Sequence, residues 1–265
     1  MGRPRPPRFG EEDRELSYGS YLEIPELLRL QKLLSDPAAH DELVFIVVHQ
    51  VYELWFKEVI FELETVRDLM RTGDLPRARH LLERIHRIER VLIEQIPVLE
   101  SMSPQDFLEF RTHLAPASGF QSVQFREIEF ISGLKDERYL NRLSMSEEEL
   151  ERLKRRLDEP TLWDAFCSVL ERAGLPMPGD DEERRRQSLI EMARGRDSYV
   201  EEFYLSESLL THDELFATWR HRHVLMVERQ IGSKTGTGGS TGASYLHTTL
   251  DKRFYPELWD LRSFL

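Results

Sequence analysis

The 265-residue chain predicts an all-α fold, and three observations support this. Helical periodicity runs from Asp36-Pro37, which offers a cap and a first-turn proline, to Gly73 without an interrupting proline or glycine. No stretch keeps the period-two alternation of a half-buried strand, and pairs of helix-capping residues recur along the chain. We therefore expect one helical-bundle domain over residues 1–265, with a pocket between long helices.

The later helices follow from the same signals. A second helix is expected from about Pro76 to the residues before Pro97, because apolar residues repeat along one side of it. Residues 145–197 are highly charged and predict a helical excursion with a solvated face, not a separate domain. Further helix starts are predicted at Ser103-Pro104, at Ser146 with Glu149, and at Thr211 with Glu214, the last two as capping boxes.

Composition limits the possible partners and the location. The formal net charge of -12, without a useful basic patch, disfavours nucleic acid and anionic membranes. Cys167 is the only cysteine, which excludes an internal disulfide and fits a reducing compartment. No uncharged apolar run reaches the roughly eighteen residues of a membrane span, and MGRPRPPRFG lacks the apolar core of a signal peptide. We expect a cytoplasmic protein whose residues 1–15, rich in proline and charge, are loosely held.

A histidine lies at the centre of the most apolar stretch, FIVVHQVYELWF at residues 45–56. Phe45, His49, Tyr52 and Phe56 are spaced by four, three and four residues, so His49 shares a buried helix face with aromatic neighbours. Taken alone, such a histidine is more often a neutral core residue with one hydrogen bond than a catalytic group. Both interpretations stay open at this point.

A second histidine, His223, lies on the apolar stripe of residues 215–232, four residues after Trp219 and four before Val227. His221 points elsewhere, because two residues on a helix rotate a side chain by about 200°. Two histidines on the buried faces of different helices are compatible with a haem pocket, in which one imidazole binds iron and a polar group lies opposite.

Two further motifs are candidates for ligand binding. The stretch GSKTGTGGSTG at residues 232–242 matches neither the P-loop nor the dinucleotide fingerprint. It is either a flexible linker or a loop whose glycines let the backbone approach a ligand closely. Arg111 borders an aromatic helix face with Phe107 and Phe110, where it could bind a carboxylate; an ordinary ion pair with a glutamate is the simpler interpretation.

Taken together, these motifs resemble the tryptophan 2,3-dioxygenase family. The resemblance covers most of the chain and is weakest in residues 1–15 and 145–197. Five stretches in the family's order carry it: LSYGSYL (16–22), FIVVHQVYELWFKEVIFELE (45–64), EFR (109–111), SGFQSVQFREIEF (118–130) and HVLMVERQIGSKTGTGGSTG (223–242).

The resemblance implies a haem b enzyme that inserts both atoms of O2 across the indole C2–C3 bond of L-tryptophan, giving N-formylkynurenine. This reaction is the first step of tryptophan catabolism through the kynurenine pathway. The haem pocket is expected between the long helices. His223 is implied as the proximal iron ligand, and His49 as the distal residue that accepts a hydrogen bond from the indole N–H.

The resemblance also implies the remaining site residues. Phe45 forms a wall of the substrate pocket, Arg111 pairs with the substrate carboxylate, and Thr237 holds the amino-acid end. Phe107 stands where a tyrosine is expected in bacterial relatives, so one hydroxyl near the carboxylate is missing. The remaining implied residues are Ser118, Gly119 and Gly236 beside the haem, and Tyr18, Tyr21 and Leu22 in an amino-terminal arm (residues 1–22) that reaches a neighbouring subunit of a homotetramer.

Three alternatives are retained. A related haem oxygenase could act on another indole or aromatic amino acid. A di-iron carboxylate bundle is suggested by Glu83 and His86 at E-x-x-H spacing, but only one such pair is present, so we expect both on a helix surface. A helical interaction protein without a cofactor is the third.

Overall fold

The computed structural model describes residues 17–141, 145–239 and 241–265, and within these ranges it is built from helices with no strand. The all-α prediction is confirmed. The predicted loose segment 1–15 lies outside the described residues. The α-helices are α1 (Tyr18–Tyr21), α2 (Ile24–Leu27), α3 (Glu42–Thr72), α4 (Leu75–Glu94), α5 (Ile96–Glu100), α6 (Pro104–Leu114), α7 (Val123–Ser132), α8 (Glu147–Asp158), α9 (Leu162–Arg172), α10 (Glu182–Arg194), α11 (Val200–Ile231), α12 (Ala243–His247) and α13 (Pro256–Leu261), with short 3-10 helices at Gly119–Gln121, Glu137–Asn141 and Arg262–Phe264.

Three long helices, α3, α4 and α11, form the centre of the fold. Gly73 ends α3 in a left-handed conformation (φ 94°), and Asp74 caps α4 by accepting a hydrogen bond from the Arg77 amide, so the two helices pack closely through a tight turn. The buried side chains between the helices include Leu63, Leu82 and Leu209. Apolar burial between the three helices therefore supplies the main core.

The first long helix begins later than predicted, at Glu42 and not at Pro37. The Glu42 carboxylate accepts hydrogen bonds from the amides of Leu34 (2.7 Å) and Ser35 (3.1 Å), and the Ser35 hydroxyl accepts one from the Ala39 amide (2.8 Å). These side-chain contacts fold residues 34–41 into a turn that competes with helix formation.

The capping box predicted at Thr211 and Glu214 is also wrong, because both residues lie inside α11. The Thr211 hydroxyl donates to the carbonyl of Glu207, four residues earlier, as a threonine within a helix does. The helix starts at Ser103-Pro104 and at Ser146 with Glu149 are confirmed, each with a reciprocal capping box.

The charged segment 145–197 contains α8, α9 and α10. Among these, α9 packs against α3 and buries Leu162, Phe166 and Leu170 in the main core. The other two helices are tied to the bundle as well, since α8 packs against α7 and α10 places Leu189 and Met192 in the main core. No helix within the described ranges is long and apolar enough to cross a membrane.

A buried polar cluster links four helices. His212 of α11 is fully buried, with Nδ1 2.6 Å from a carboxylate oxygen of Glu89 on α4 and Nε2 2.9 Å from the hydroxyl of Ser132 on α7. The neighbouring Asp213 accepts hydrogen bonds from the Phe254 amide (2.8 Å) and from Trp259 Nε1 on α13 (2.9 Å). These contacts fix α11 relative to α4, α7 and α13.

His86 is also buried, next to this polar cluster, so the expectation that it lies on a helix surface is wrong. Its Nε2 donates to the carbonyl of Ser208 (2.9 Å), which joins α4 to α11. Burial, with the neighbouring His212, lowers the pKa of His86 to about 4. Glu83, one turn away, is exposed, so the two side chains do not form a ligand pair.

We predict that His86 makes the fold sensitive to acid. The unfolded chain takes up a proton on this imidazole near pH 6.5 and the folded chain only near pH 4, so stability is lost as pH falls through that window. Between pH 7 and pH 5 the loss from this residue is about 2 kcal/mol. Urea unfolding of wild type and His86→Gln at both pH values should show a smaller loss in the variant. Val91→Ala, an exposed apolar change on the same helix, is the control; equal losses in all three proteins would contradict the prediction.

Candidate functional site

A cavity of about 950 Å³ lies between α3, α6, α7, α11 and the segment that follows α11. Its walls are mainly aromatic and aliphatic, with a few charged side chains. Among the residues predicted for the site, Phe45, His49, Phe107, Arg111, Ser118, Gly119, His223, Gly236 and Thr237 all line this one cavity. Residues separated by almost two hundred positions in the chain are therefore brought together.

His49 enters the cavity from α3 as a neutral imidazole with a defined tautomer. Its Nδ1 lies 2.7 Å from the carbonyl oxygen of Phe45, and because a carbonyl can only accept, Nδ1 carries the proton. Burial lowers the pKa of His49, so the ring stays uncharged near neutral pH. The other nitrogen, Nε2, is left as a hydrogen-bond acceptor.

His223 faces the same cavity from α11. Its ring stacks on Trp219 one turn earlier, with centroids 4.9 Å apart and planes 11° from parallel. Burial, with a contribution from the nearby His49, lowers the pKa of His223 to about 4. Neither ring nitrogen has a hydrogen-bond partner within the described part of the chain. The imidazole is thus neutral and free to donate a lone pair. His221, two residues earlier, is exposed, as its position on the helix predicts.

Phe45 and Phe107 form an aromatic wall of the cavity beside His49, and Phe110 packs behind them. The Phe45 ring lies 4.1 Å from the His49 ring, 5.8 Å from Phe107 and 5.5 Å from Phe110, measured between centroids. Phe107 and Phe110 meet edge to face on α6. This wall suits a flat apolar ligand, and Phe107 presents no hydroxyl to it.

Arg111 extends from α6 to the edge of the cavity. Its Nη2 donates to the backbone carbonyl of Thr235 in the glycine-rich stretch. No aspartate or glutamate pairs with Arg111 in the ranges the structure describes, so the simple ion-pair interpretation does not apply there. A guanidinium that is held by a neutral carbonyl keeps its capacity to bind a carboxylate.

The glycine-rich stretch packs against the segment that leads into α7. The Thr237 hydroxyl donates to the carbonyl of Ala117 (2.6 Å). A Cβ atom at Gly238 would lie 2.6 Å from Cβ of Ser118, so only glycine permits this approach. Ser118 in turn caps the short helix that begins at Gly119. Within the described residues of this stretch, Gly236, Thr237 and Gly242 line the cavity, so they form part of its wall.

Tyr18, Tyr21 and Leu22 do not line the cavity of their own chain. They belong to the α1 segment, and the two tyrosines are 78% and 70% exposed. The hydrophobic side chains of this segment are thus unburied within one chain, which is the condition that an arm reaching another subunit requires.

The cavity wall also contains a charged cluster that was not predicted from the sequence. Arg126 and Glu129 of α7 and Arg220 of α11 line the cavity and are almost fully buried. Burial lowers the pKa of Arg220, against the opposing effect of Glu129. The helical spacing of Arg220, three residues before His223, was the signal that could have found it.

Metal binding by a cluster of side chains is not supported within the described residues. No three histidine, cysteine, aspartate or glutamate side chains are grouped there so as to hold an ion. The group of carboxylates and histidines that the di-iron alternative requires is thus not found in that part of the chain.

Comparison with known proteins agrees with the geometry. The family model described as tryptophan 2,3-dioxygenase matches residues 7–183 and 181–265. A protein of Nocardioides sp. named tryptophan 2,3-dioxygenase is 56% identical over 260 residues, covering 96% of this chain and 97% of the relative. Proteins with the same name from Herpetosiphon aurantiacus and Caulobacter vibrioides are 45% and 41% identical, each over 94% of this chain and 98% of the relative.

Proposed function

The chain belongs to the tryptophan 2,3-dioxygenase family, and on that premise we propose that it cleaves the indole C2–C3 bond of L-tryptophan with O2 to give N-formylkynurenine. The observation that carries the proposal is the meeting of His49, His223 and Arg111 at one apolar cavity. The reaction belongs to tryptophan catabolism through the kynurenine pathway. A related oxygenase acting on another indole is not favoured, because the relatives above all have the same name.

The residues present fit haem b as the cofactor. The cavity is apolar and large, and it offers one neutral imidazole, that of His223, without a hydrogen-bond partner in the described ranges. We assign His223 as the iron ligand and Ser118, Gly119 and Gly236 as neighbours of the macrocycle. Bound haem supplies the centre at which O2 is activated.

His49 is proposed to orient the substrate. With Nδ1–H bonded to Phe45, Nε2 can accept a hydrogen bond from the indole N–H. The depressed pKa keeps this acceptor unprotonated, while Phe45 and Phe107 enclose the indole ring. Attack at C2 or C3 does not require the indole nitrogen to lose its proton first, so His49 contributes mainly by positioning.

The amino-acid end of the substrate is proposed to bind at the edge of the cavity. Arg111 forks onto the carboxylate, and Thr237 lies close by on the wall that Arg111 contacts through Thr235. Phe107 supplies apolar contact only, so the carboxylate receives one hydrogen bond fewer than a tyrosine there would allow.

The proposal extends to the oligomeric state and the cellular location of the protein. We infer a homotetramer in which Tyr18, Tyr21 and Leu22 of an arm over residues 1–22 close a neighbouring subunit's site; their exposure within one chain supports this. We also propose that residues 1–265 form one domain and that the protein is cytoplasmic, in keeping with its single cysteine.

The reduced protein should convert L-tryptophan to N-formylkynurenine under air. The purified protein should show a Soret band, and product should appear only with both haem and O2 present. A panel of other indoles and aromatic amino acids, assayed in parallel, tests the related-oxygenase alternative. Absence of the Soret band would favour a helical interaction protein, and turnover of a different substrate alone would favour the related oxygenase.

Haem spectra and turnover should distinguish the roles of the two histidines. His223→Ala removes the assigned iron ligand and should abolish the native haem spectrum. His49→Ala removes a substrate contact and should keep haem while losing only part of the turnover. The control is His221→Ala, since this exposed neighbour should preserve both properties. Equal loss of haem in His49→Ala and His223→Ala would overturn the assignment.

Removing the Arg111 guanidinium should weaken the use of L-tryptophan roughly a hundredfold or more, because a charged hydrogen-bonded contact is lost. Binding titrations of Arg111→Ala with L-tryptophan and with tryptamine, which lacks the carboxylate, should show that only the amino acid loses affinity. Leu108→Ala, exposed on the same helix, serves as the matched control. Unchanged affinity for L-tryptophan would exclude this role.

A further inference from the structure

The cavity is cationic although the chain is acidic. Among the described residues that line it, five are lysine or arginine and three are glutamate, whereas the whole chain has a net charge of -12. Positive charge is therefore concentrated where a ligand would bind, and the cavity favours an anionic group. One of these cations, Arg111, is assigned to the substrate carboxylate, and Arg152 pairs with Glu127 (3.3 Å). Lys57, Arg126 and Arg220 are left without an assigned ligand.

Arg126 is held in a fixed orientation at the cavity wall. Its guanidinium carbon lies 4.1 Å from the ring centroid of Tyr139 and 5.0 Å from that of Phe125. Nη1 donates to Glu129 (2.6 Å), whereas Nε and Nη2 have no hydrogen-bond partner in the described ranges. With aromatic rings against the guanidinium, Arg126 is left to bind further anions along its edges.

Arg220 approaches the same carboxylate from the other helix. Its Nη2 donates to the second oxygen of Glu129 (2.9 Å), and Nη1 donates to the carbonyl of Lys252 (3.2 Å). The rings of Phe216 and Phe254 lie 4.9 and 5.4 Å from its guanidinium carbon. The Glu129 carboxylate thus binds two guanidinium groups, one from α7 and one from α11, and fixes their relative positions.

The hydrogen-bond donors of this cluster are not all used. Glu129 and Asp213 are the buried carboxylates that interact with the two arginines, which are both more than nine-tenths buried, whereas half-buried Lys252 also interacts with Asp136. Nε of Arg220, like Nε of Arg126, has no hydrogen-bond partner in the described ranges. Buried donors without a partner are costly unless a bound group accepts hydrogen bonds from them.

The position of the cluster indicates which anion it would bind. Arg220 precedes His223 by three residues, so both side chains project from one face of α11 into the cavity. Haem b is an apolar macrocycle that carries two carboxylates, its propionates, on one edge. Resting on the haem site proposed above, we propose that Arg126 and Arg220, aligned by Glu129, bind a haem propionate, whereas Arg111 is kept for the substrate carboxylate.

The test compares haem with its dimethyl ester, in which both propionates are neutral. The full chain, freed of haem, is titrated with each compound and followed by Soret absorbance. We expect wild type to bind haem at least about tenfold more tightly than the ester. Arg126→Met and Arg220→Met should lose about tenfold in haem affinity, lose little in ester affinity, and release haem to apomyoglobin faster than wild type.

The control is Arg156→Met. Arg156 is an equally buried arginine that bonds to Glu127 and Glu159 but does not line the cavity. It should lower thermal stability without changing the preference for haem over the ester. If the methionine variants do not fold, Arg126→Lys and Arg220→Lys, which keep the charge, replace them in the same titrations. The comparison of haem with its dimethyl ester in wild type needs no variant.

The outcomes separate this inference from the proposed function. If wild type binds haem and the ester equally, or if the variants release haem no faster than the Arg156→Met control, the propionate assignment is overturned and the haem site stands. If wild type binds neither compound, the proposed function fails as well.

Discussion

The register of α11 against α4 is the constraint on which the site depends. His212 and Glu89, 2.6 Å apart and buried, fix that register, and Asp213 ties the same turn to α13. His223 follows three turns later on the same helix. Because one residue on a helix is a rotation of about 100°, a slip by one position would turn His223 away from the cavity. A polar contact far from the cavity thus sets the direction of the assigned iron ligand.

Burial then decides the chemistry of the two imidazoles. A histidine in water is partly protonated near neutral pH, and a protonated ring can neither bind iron nor accept a hydrogen bond. Desolvation lowers the pKa of both His49 and His223, so both lone pairs are available. The Phe45 carbonyl adds the choice of tautomer at His49. The apolar wall therefore supplies shape and also keeps the histidines in the useful protonation state.

The arginines of the cavity divide into two classes by their partners. Arg111 is half-buried and held by a neutral carbonyl, which suits a ligand that must enter and leave. Arg126 and Arg220 are buried, lie against aromatic rings and share one glutamate, which suits a group that stays bound. Their separate surroundings allow one cavity to distinguish two kinds of carboxylate.

The sequence by itself determined the all-α class, the end of α3 at Gly73, the capping box of Ser146 with Glu149 and the face of α11 that carries His223, since these depend on neighbours within a few turns. Only the tertiary structure decided the burial of His86 against Ser208, 122 positions away. The turn at residues 34–41 is local, but a carboxylate that accepts hydrogen bonds from two backbone amides leaves no periodic pattern in the sequence. The tertiary structure also decided that His49 and His223 share one cavity with Arg126, Glu129 and Arg220. Contacts between residues about a hundred or more positions apart arise from how helices pack, and no local pattern records them.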